Sequence, residues 1–454
     1  MKKTEKYLYL LLIALVGCFT FSACSDDDDD DDAGKTDGED KEETVAFIET
    51  DSMTLTAEQL CDSIFGPDGS NADDSTKAEL RENFMARVHA IEDSLNAAKG
   101  SNGIAMGFRF WTYHYKSKDE FGKDIWLSAK VAWGRYWWWF SWHDLDPDNI
   151  YLWEHYTILS DAECPTRSSC SLEMSMLGDN LMIFPDYIGY GYTRDKLHPY
   201  LNHEVCAINS IDAMEAGYEL FMKHKESDAD MESDWRMYVL GCSQGGANAL
   251  AVHKYLDTHP ALASKWRFDY SYCCAGPYNP AVTMDYYYST SSLSYPVIIP
   301  IVIKSMLHCY PDVLGKWEEK DFYSAKYLEI KDQMDKLISD KETESKPLIQ
   351  KMKDLMGLET ISVKDILSDS ALNKSSEMTK ALYTCLRKND LTSGWTPSHM
   401  IKLYHSKGDD IVPYSNALYV TYAFGSKANL FNSYWTGHVA TCEKWYGTLA
   451  LNNW

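Results

Sequence analysis

A short apolar run, Met237-Tyr238-Val239-Leu240, breaks into Gly241-Cys242-Ser243-Gln244-Gly245 and then into the small-residue stretch Gly246 to Val252. No other segment restricts the fold as much. A strand that turns sharply into a helix lifts the Ser243 hydroxyl clear of a sheet edge. The turn pushes the serine toward positive φ, and side chains at Gly241 and Gly245 would collide with the neighbouring strand and helix.

Two further strand ends carry the matching chemistry. Ile401 to His405 reads as a buried strand that runs into Ser406-Lys407-Gly408-Asp409-Asp410-Ile411-Val412-Pro413, a turn with an acid just past the strand end. Leu430 to Trp435 is another strand candidate, ending in Thr436-Gly437-His438. Nucleophile, acid and histidine thus occur in the order Ser, Asp, His, each on a loop after a strand. That is the order of the α/β-hydrolase fold and differs from the chymotrypsin and subtilisin arrangements.

From about residue 100 to 454 the chain resembles the α/β-hydrolases of the secretory lipase group (lipase A-like) and their bacterial outer-surface relatives. The resemblance rests on the serine turn, the Ser406 to Pro413 acid turn and Gly437-His438. It also rests on Phe184-Pro185-Asp186-Tyr187-Ile188-Gly189-Tyr190-Gly191 and on Ala275-Gly276-Pro277-Tyr278. It implies a catalytic Ser243, Asp409 and His438. Asp409 is preferred to its neighbour Asp410 because the family's spacing from acid to Val-Pro selects it, and Asp410 stays open as the alternative. The resemblance further implies an oxyanion hole that draws on Asp186, with the backbone N–H of Gln244 as the other donor. Cys242 departs from the family's usual residue beside the serine.

Alternating strand and helix signals organise the middle of the chain. Asp74 to Ala98 reads as a polar helix closed by Gly100 to Gly103. Gly107 to Tyr115 and Ile125 to Val131 alternate as paired strands around the turn Phe121-Gly122-Lys123-Asp124. Tyr151-Leu152-Trp153 and Leu181 to Phe184 follow as core strands, and Cys206 to Met222 as a helix. This order predicts a mostly parallel central sheet with helices on both faces. The strands near Tyr270 to Ala275 and at Ile401 lie more than a hundred residues apart. Between them run amphipathic stretches at Phe322–Ile338, Lys346–Met356, Val363–Leu367 and Ser376–Arg387. Residues 279–393 are therefore expected to form a helical cap over the carboxyl edge of the sheet, where such sheets bind ligands. The hydrolase core takes 51–278 and 394–454.

Residues 1–24 read as a targeting segment, with positive charge at Lys2-Lys3 and an apolar stretch from Tyr7 to Val16. Phe21-Ser22-Ala23-Cys24 resembles the cleavage box of bacterial lipoproteins, which implies lipid attachment at Cys24 and an outer-membrane anchor. Ser25 and seven consecutive aspartates follow, resembling the surface-export signal of some Gram-negative lipoproteins. Residues 25–50 are expected to form an acidic tether. Its first twenty residues carry twelve acids and two lysines, −10 of the net charge of −25. The remainder is still acidic and has no basic run, which argues against nucleic-acid binding.

Export would place ten of the twelve cysteines where disulfides are permitted. Cys164 and Cys170 bracket a turn-like stretch and form the best local pair, while Cys273 and Cys274 read as small apolar residues of a strand. No Cys-x-x-Cys pair suggests zinc, and the expected chemistry needs no metal or cofactor. His198 and His203 flank a proline that breaks helical ligand spacing, and His155 lies where such folds place an oxyanion loop. The run Trp133, Tyr136, Trp137, Trp138, Trp139, Phe140, Trp142 is either core or an exposed platform.

The expected activity is serine carboxylic ester hydrolysis, of the lipase or esterase type, on uncharged acyl esters at the bacterial surface. The alternatives are a serine peptidase of the same fold and a non-catalytic lipoprotein that binds glycans or nutrients.

Overall fold

The computed structural model describes residues 45–66, 75–168, 172–226 and 229–451. The targeting segment, Cys24, most of the acidic tether and Cys170 lie outside the described residues. Ten strands form one sheet: β1 (Phe47–Thr56), β2 (Ala105–Lys118), β3 (Asp124–Trp138), β4 (Ser141–Asp144), β5 (Ile150–Glu154), β6 (Leu181–Pro185), β7 (Met237–Cys242), β8 (Phe268–Cys274), β9 (Met400–Gly408) and β10 (Ala428–Thr436). Their order is β1-β2-β3-β6-β5-β7-β8-β9-β10, with β4 paired to β3. From β6 to β10 every pair is parallel, and β1, β2 and β3 join antiparallel at one side.

Burial follows from this pairing. Strands β5, β6 and β7 are buried along their whole length, as parallel strands covered on both faces must be. In β7 the alternation divides the side chains: Met237 and Val239 enter one core, and Tyr238, Leu240 and Cys242 enter the other. The first core is closed by helices His203–His224, Gln244–Thr258 and Ser415–Phe424. The second is closed by Ala57–Phe65, Ser75–Lys99 and His438–Leu451.

Two expectations change in the amino-terminal part. The sheet begins at Phe47, so the expected tether boundary at 50 falls inside β1, which pairs with β2 from Phe47↔Tyr115 to Thr56↔Gly107. Acids at Glu49 and Asp51 suit an edge strand better than a core strand, which hid it from an apolar search. The aromatic run divides between both of its readings. Trp133 and Tyr136 are buried, whereas Trp139 and Phe140 form the tip of the β3–β4 hairpin at φ 48° and 61°, exposed by 77% and 91%.

Between β8 and β9 the chain is helical, from Pro280–Ser289 and Ile298–Cys309 through Glu377–Lys388. This segment has its own core, into which Leu159, Tyr200 and Leu201 of the sheet's loops also pack. The expected Phe322–Ile338 helix is broken into Ala325–Leu328 and Lys331–Asp340 after a short turn at Glu319–Phe322. Ser324 sets the late start: its extended backbone and its side chain, which accepts from Tyr327 N at 3.0 Å, cap the first of these helices.

Candidate active site

Ser243 follows β7 directly and adopts φ 59°, ψ −123°, a conformation costly for a non-glycine residue and held here from several sides. Its N–H donates to Cys274 O at 2.9 Å. A Cβ on Gly241 would stand 2.2 Å from Gly245 O, and one on Gly245 would stand 2.0 Å from Glu154 O. The turn therefore sits tightly against the end of β5, as the glycine spacing requires.

His438 opens the helix that follows β10, and it is buried. The Ser243 hydroxyl donates to His438 Nε2 at 2.7 Å, and His438 Nδ1–H donates to Asp409 Oδ2 at 2.7 Å. Asp409 Oδ1 accepts from Ile411 N at 3.0 Å and Val412 N at 2.8 Å. His405 Nε2 stands 3.3 Å from Asp409 Oδ2. Burial alone would raise the Asp409 pKa; the His438 and His405 imidazoles outweigh it and hold the carboxyl well below the usual range.

Asp410, the sequence alternative, takes a different position. Its Oδ1 accepts the backbone N–H of His438 at 2.9 Å, and its Oδ2 accepts from Ser294 of the cap at 2.5 Å. It fixes the start of the histidine helix and ties it to the cap, while Asp409 alone meets the imidazole.

Gln244 is the first residue of its helix, so its N–H has no intrahelical acceptor and lies beside Ser243. Its side-chain Nε2 donates to His198 Nε2 at 2.7 Å. Asp186 is placed otherwise than expected for an oxyanion donor. Its N–H donates to Ser128 O at 3.0 Å and its carbonyl faces His155 Nε2 at 3.2 Å. Its carboxylate accepts from Ser128 Oγ at 2.6 Å, Thr166 N at 2.9 Å and the Thr166 hydroxyl. Burial raises its pKa to about 6 against these hydrogen bonds. With its polar groups engaged by Ser128, Thr166 and His155, Asp186 is a buried brace between its loop and theirs. The segment that does reach the serine's cavity is Tyr156-Thr157, directly after β5.

The cavity is about 400 Å³, within the usual range for small-molecule sites. Ser243 and His438 lie in its wall with Tyr156, Val412 and Tyr446 of the core and Met284, Tyr287, Ile298 and Val302 of the cap. Its surface is mainly apolar. Lys341 of the cap locks the far side of this assembly. Its buried Nζ donates to the carbonyls of Gly189, Arg194 (2.8 Å) and Lys196 (2.6 Å), and burial lowers its pKa to about 8.

His198 Nδ1 bonds Ile188 O and His203 Nδ1 bonds Asn389 O, each at 2.7 Å, and burial lowers their pKa values to about 3 and about 4. Cys242 is bonded to Cys442, a pairing across 200 residues that no local pattern announces. Cys164 is buried near Thr166. Among the described residues, Cys242, Cys274 and Cys442 form a cluster close enough to suggest a metal, but two of its sulfurs are joined to each other.

Solved structures match this arrangement over nearly its whole length. The ligand-bound rice cell wall degrading esterase LipA from Xanthomonas oryzae superposes with a TM-score of 0.63 at 18% identity, covering 89% of this chain and 97% of that one. A Legionella pneumophila protein superposes with a TM-score of 0.60 at 16% identity, covering 90% and 96%. The chain has the α/β-hydrolase fold. No family model matches the sequence, and no curated protein matches it. Within the α/β-hydrolase fold, β7 is the strand before the serine turn, and β9 and β10 are the strands before the acid and the histidine.

Proposed function

We propose that the protein is a serine carboxylic ester hydrolase acting on uncharged acyl esters. The observation that carries this reading is the unbroken hydrogen-bonded chain from Ser243 through His438 to Asp409 at the wall of a largely apolar cavity. His438 Nε2 accepts the Ser243 proton as Oγ attacks the ester carbonyl. Asp409 holds the imidazole in the tautomer that leaves Nε2 free and stabilises the imidazolium that forms. The N–H of Gln244 meets the developing oxyanion, and the Tyr156-Thr157 segment lines the cavity beside it. His438 then gives its proton to the leaving alcohol, and an acyl-serine remains. Water activated by His438 releases the acid, returning Ser243 to its starting state. Likeness to a structure named as a cell wall degrading esterase supports ester hydrolysis as the reaction class. The apolar lining of the cavity suits an uncharged acyl group.

The reading extends to location: lipid attachment at Cys24 would hold the enzyme on the outer membrane, with residues 25–46 as the acidic spacer. Hydrolysis of p-nitrophenyl esters from acetate to palmitate by the full-length chain, with Ser243→Ala as control, tests the activity. Turnover that vanishes in the variant supports it, and the chain-length optimum divides esterase from lipase. A well-folded protein that turns over no ester would favour the peptidase or binding readings instead.

A further inference from the structure

The serine turn carries a covalent tie that the hydrolytic cycle does not use. Cys242 immediately precedes Ser243, and its partner Cys442 stands one helical turn after His438. The disulfide thus joins the backbone bearing the nucleophile to the backbone bearing the base. His438 needs such a restraint. It follows β10, the edge strand, whose register with β9 becomes irregular between Ser433 and Thr436. Its neighbours are open to solvent, with Tyr434 and Val439 exposed. The Asp410 carboxylate accepts the His438 N–H and Gly437 N–H donates to Gly408 O at 2.9 Å, while the side chains that bury this helix, Trp445, Tyr446 and Leu449, lie beyond Cys442.

A third sulfur lies against the bridge. Cys274 ends β8 and is the register partner of Cys242 in the parallel β7–β8 pair. Its Sγ is buried, carries no disulfide and stands 3.2 Å from Cys242 Sγ. Its carbonyl holds the N–H of Ser243.

We propose that the Cys242–Cys442 disulfide is the positioning element of the Ser243–His438 pair, and that Cys274 can exchange into it, untethering the histidine helix. This rests on Ser243 and His438 acting as nucleophile and base. In the exchange Cys274 gives up its proton and its sulfur attacks Cys242 Sγ. A Cys242–Cys274 bond forms as the Cys242–Cys442 bond breaks, and Cys442 leaves as a thiolate that takes up a proton. Cys274 is oxidised as Cys442 is reduced, one thiol and one disulfide remaining throughout, so no external oxidant or reductant is needed. Burial raises the Cys274 pKa far above that of a free thiol, which keeps the exchange slow, on the minutes-to-hours scale of uncatalysed rearrangement. The result is an enzyme with two disulfide isomers, one with a held histidine and one without.

The test uses the full-length protein in a glutathione redox buffer. Samples are trapped with N-ethylmaleimide, mapped by mass spectrometry of non-reduced peptides and assayed in parallel on p-nitrophenyl butyrate. In wild type the Cys242–Cys274 peptide is expected to accumulate as Cys442 becomes alkylated. Over the same interval kcat should fall roughly 10- to 100-fold with KM nearly constant, the mark of lost alignment rather than lost binding. Cys274→Ala should never form the new peptide, and its kcat should hold at its own starting value over the interval in which wild type declines. The double variant Cys242→Ala/Cys442→Ala should have the low kcat from the start. Should that variant fail to fold, phosphine reduction of native wild type supplies the same comparison. A folded protein without the bridge but with wild-type kcat would overturn the positioning role. Cys274 recovered only as its alkylated monomer would overturn the exchange. If oxidised wild type shows no turnover at all, the hydrolytic reading has failed, and the peptide map still decides whether the exchange occurs.

Discussion

Two buried aspartates flank the site, and the same side chain is put to opposite uses. Asp409 accepts from the His438 imidazole and two backbone N–H groups, with the His405 imidazole 3.3 Å away, and its carboxyl is held charged. Asp186 accepts from two hydroxyls and one N–H, and its pKa climbs to about 6. Burial is nearly equal, so partner chemistry makes the difference: groups that can carry positive charge offset the cost of desolvating a carboxylate, whereas neutral hydroxyls offset only part of it. The first arrangement suits a group that must stabilise an imidazolium, and the second suits a fixed brace for a loop.

The largest expected effect breaks the comparison at Asp409. Asp409→Asn leaves the shape intact but favours the wrong His438 tautomer, so kcat should fall by about 10⁴-fold. Asp186→Asn should cost far less in kcat, about tenfold or under, if its role is bracing. Equal losses on steady-state assay would erase the distinction.

Next in size is a pH effect. The folded pKa of Asp186 stands above the 3.8 of an unperturbed aspartate, so the folded state holds that proton more tightly. The associated stability is fully present below about pH 4 and is lost as pH rises through 6. Asp409 runs the other way: its contribution is present above its unfolded pKa and is lost as pH falls below it. Urea titrations of wild type and Asp186→Asn should therefore diverge, with about 2.4 kcal/mol moving against wild type between pH 4 and pH 7. A constant gap would show that Asp186 is charged across the whole range.

Lys341→Met sharpens the structural half of the comparison. It leaves three loop carbonyls without their donor and should cost about 2 kcal/mol of stability by urea melt. The smallest effect is expected at the neighbouring acid. Asp410→Asn keeps an oxygen for the His438 N–H and should change kcat by less than about tenfold. A loss matching that of Asp409→Asn would return Asp410 to contention as the base's partner.

Local rules made much of the Asp409 side legible in the amino-acid sequence. Glycines at 241 and 245, and an acid and a histidine just past strand ends, are short-range requirements of backbone geometry. The Asp186 side was less legible, because what decides its role arrives from Ser128 and Thr166, 58 and 20 residues away. Lys341 reaches its carbonyls across as many as 152 residues. The Cys242–Cys442 bond was hidden for the same reason; the unusual cysteine beside Ser243 was the visible half of it. Strand β1 is hard to read because edge strands tolerate charge, and the start of the helix at Ala325 turns on one capping serine.

In the proposed mechanism Ser243 is a nucleophile activated by His438. Intact and peptide mass spectrometry after brief treatment with an organophosphonofluoridate tests it most directly. One adduct is expected, on the Ser243 peptide, absent in Ser243→Ala and formed orders of magnitude more slowly in His438→Ala. An unlabelled serine in well-folded protein, or labelling indifferent to His438, would contradict it.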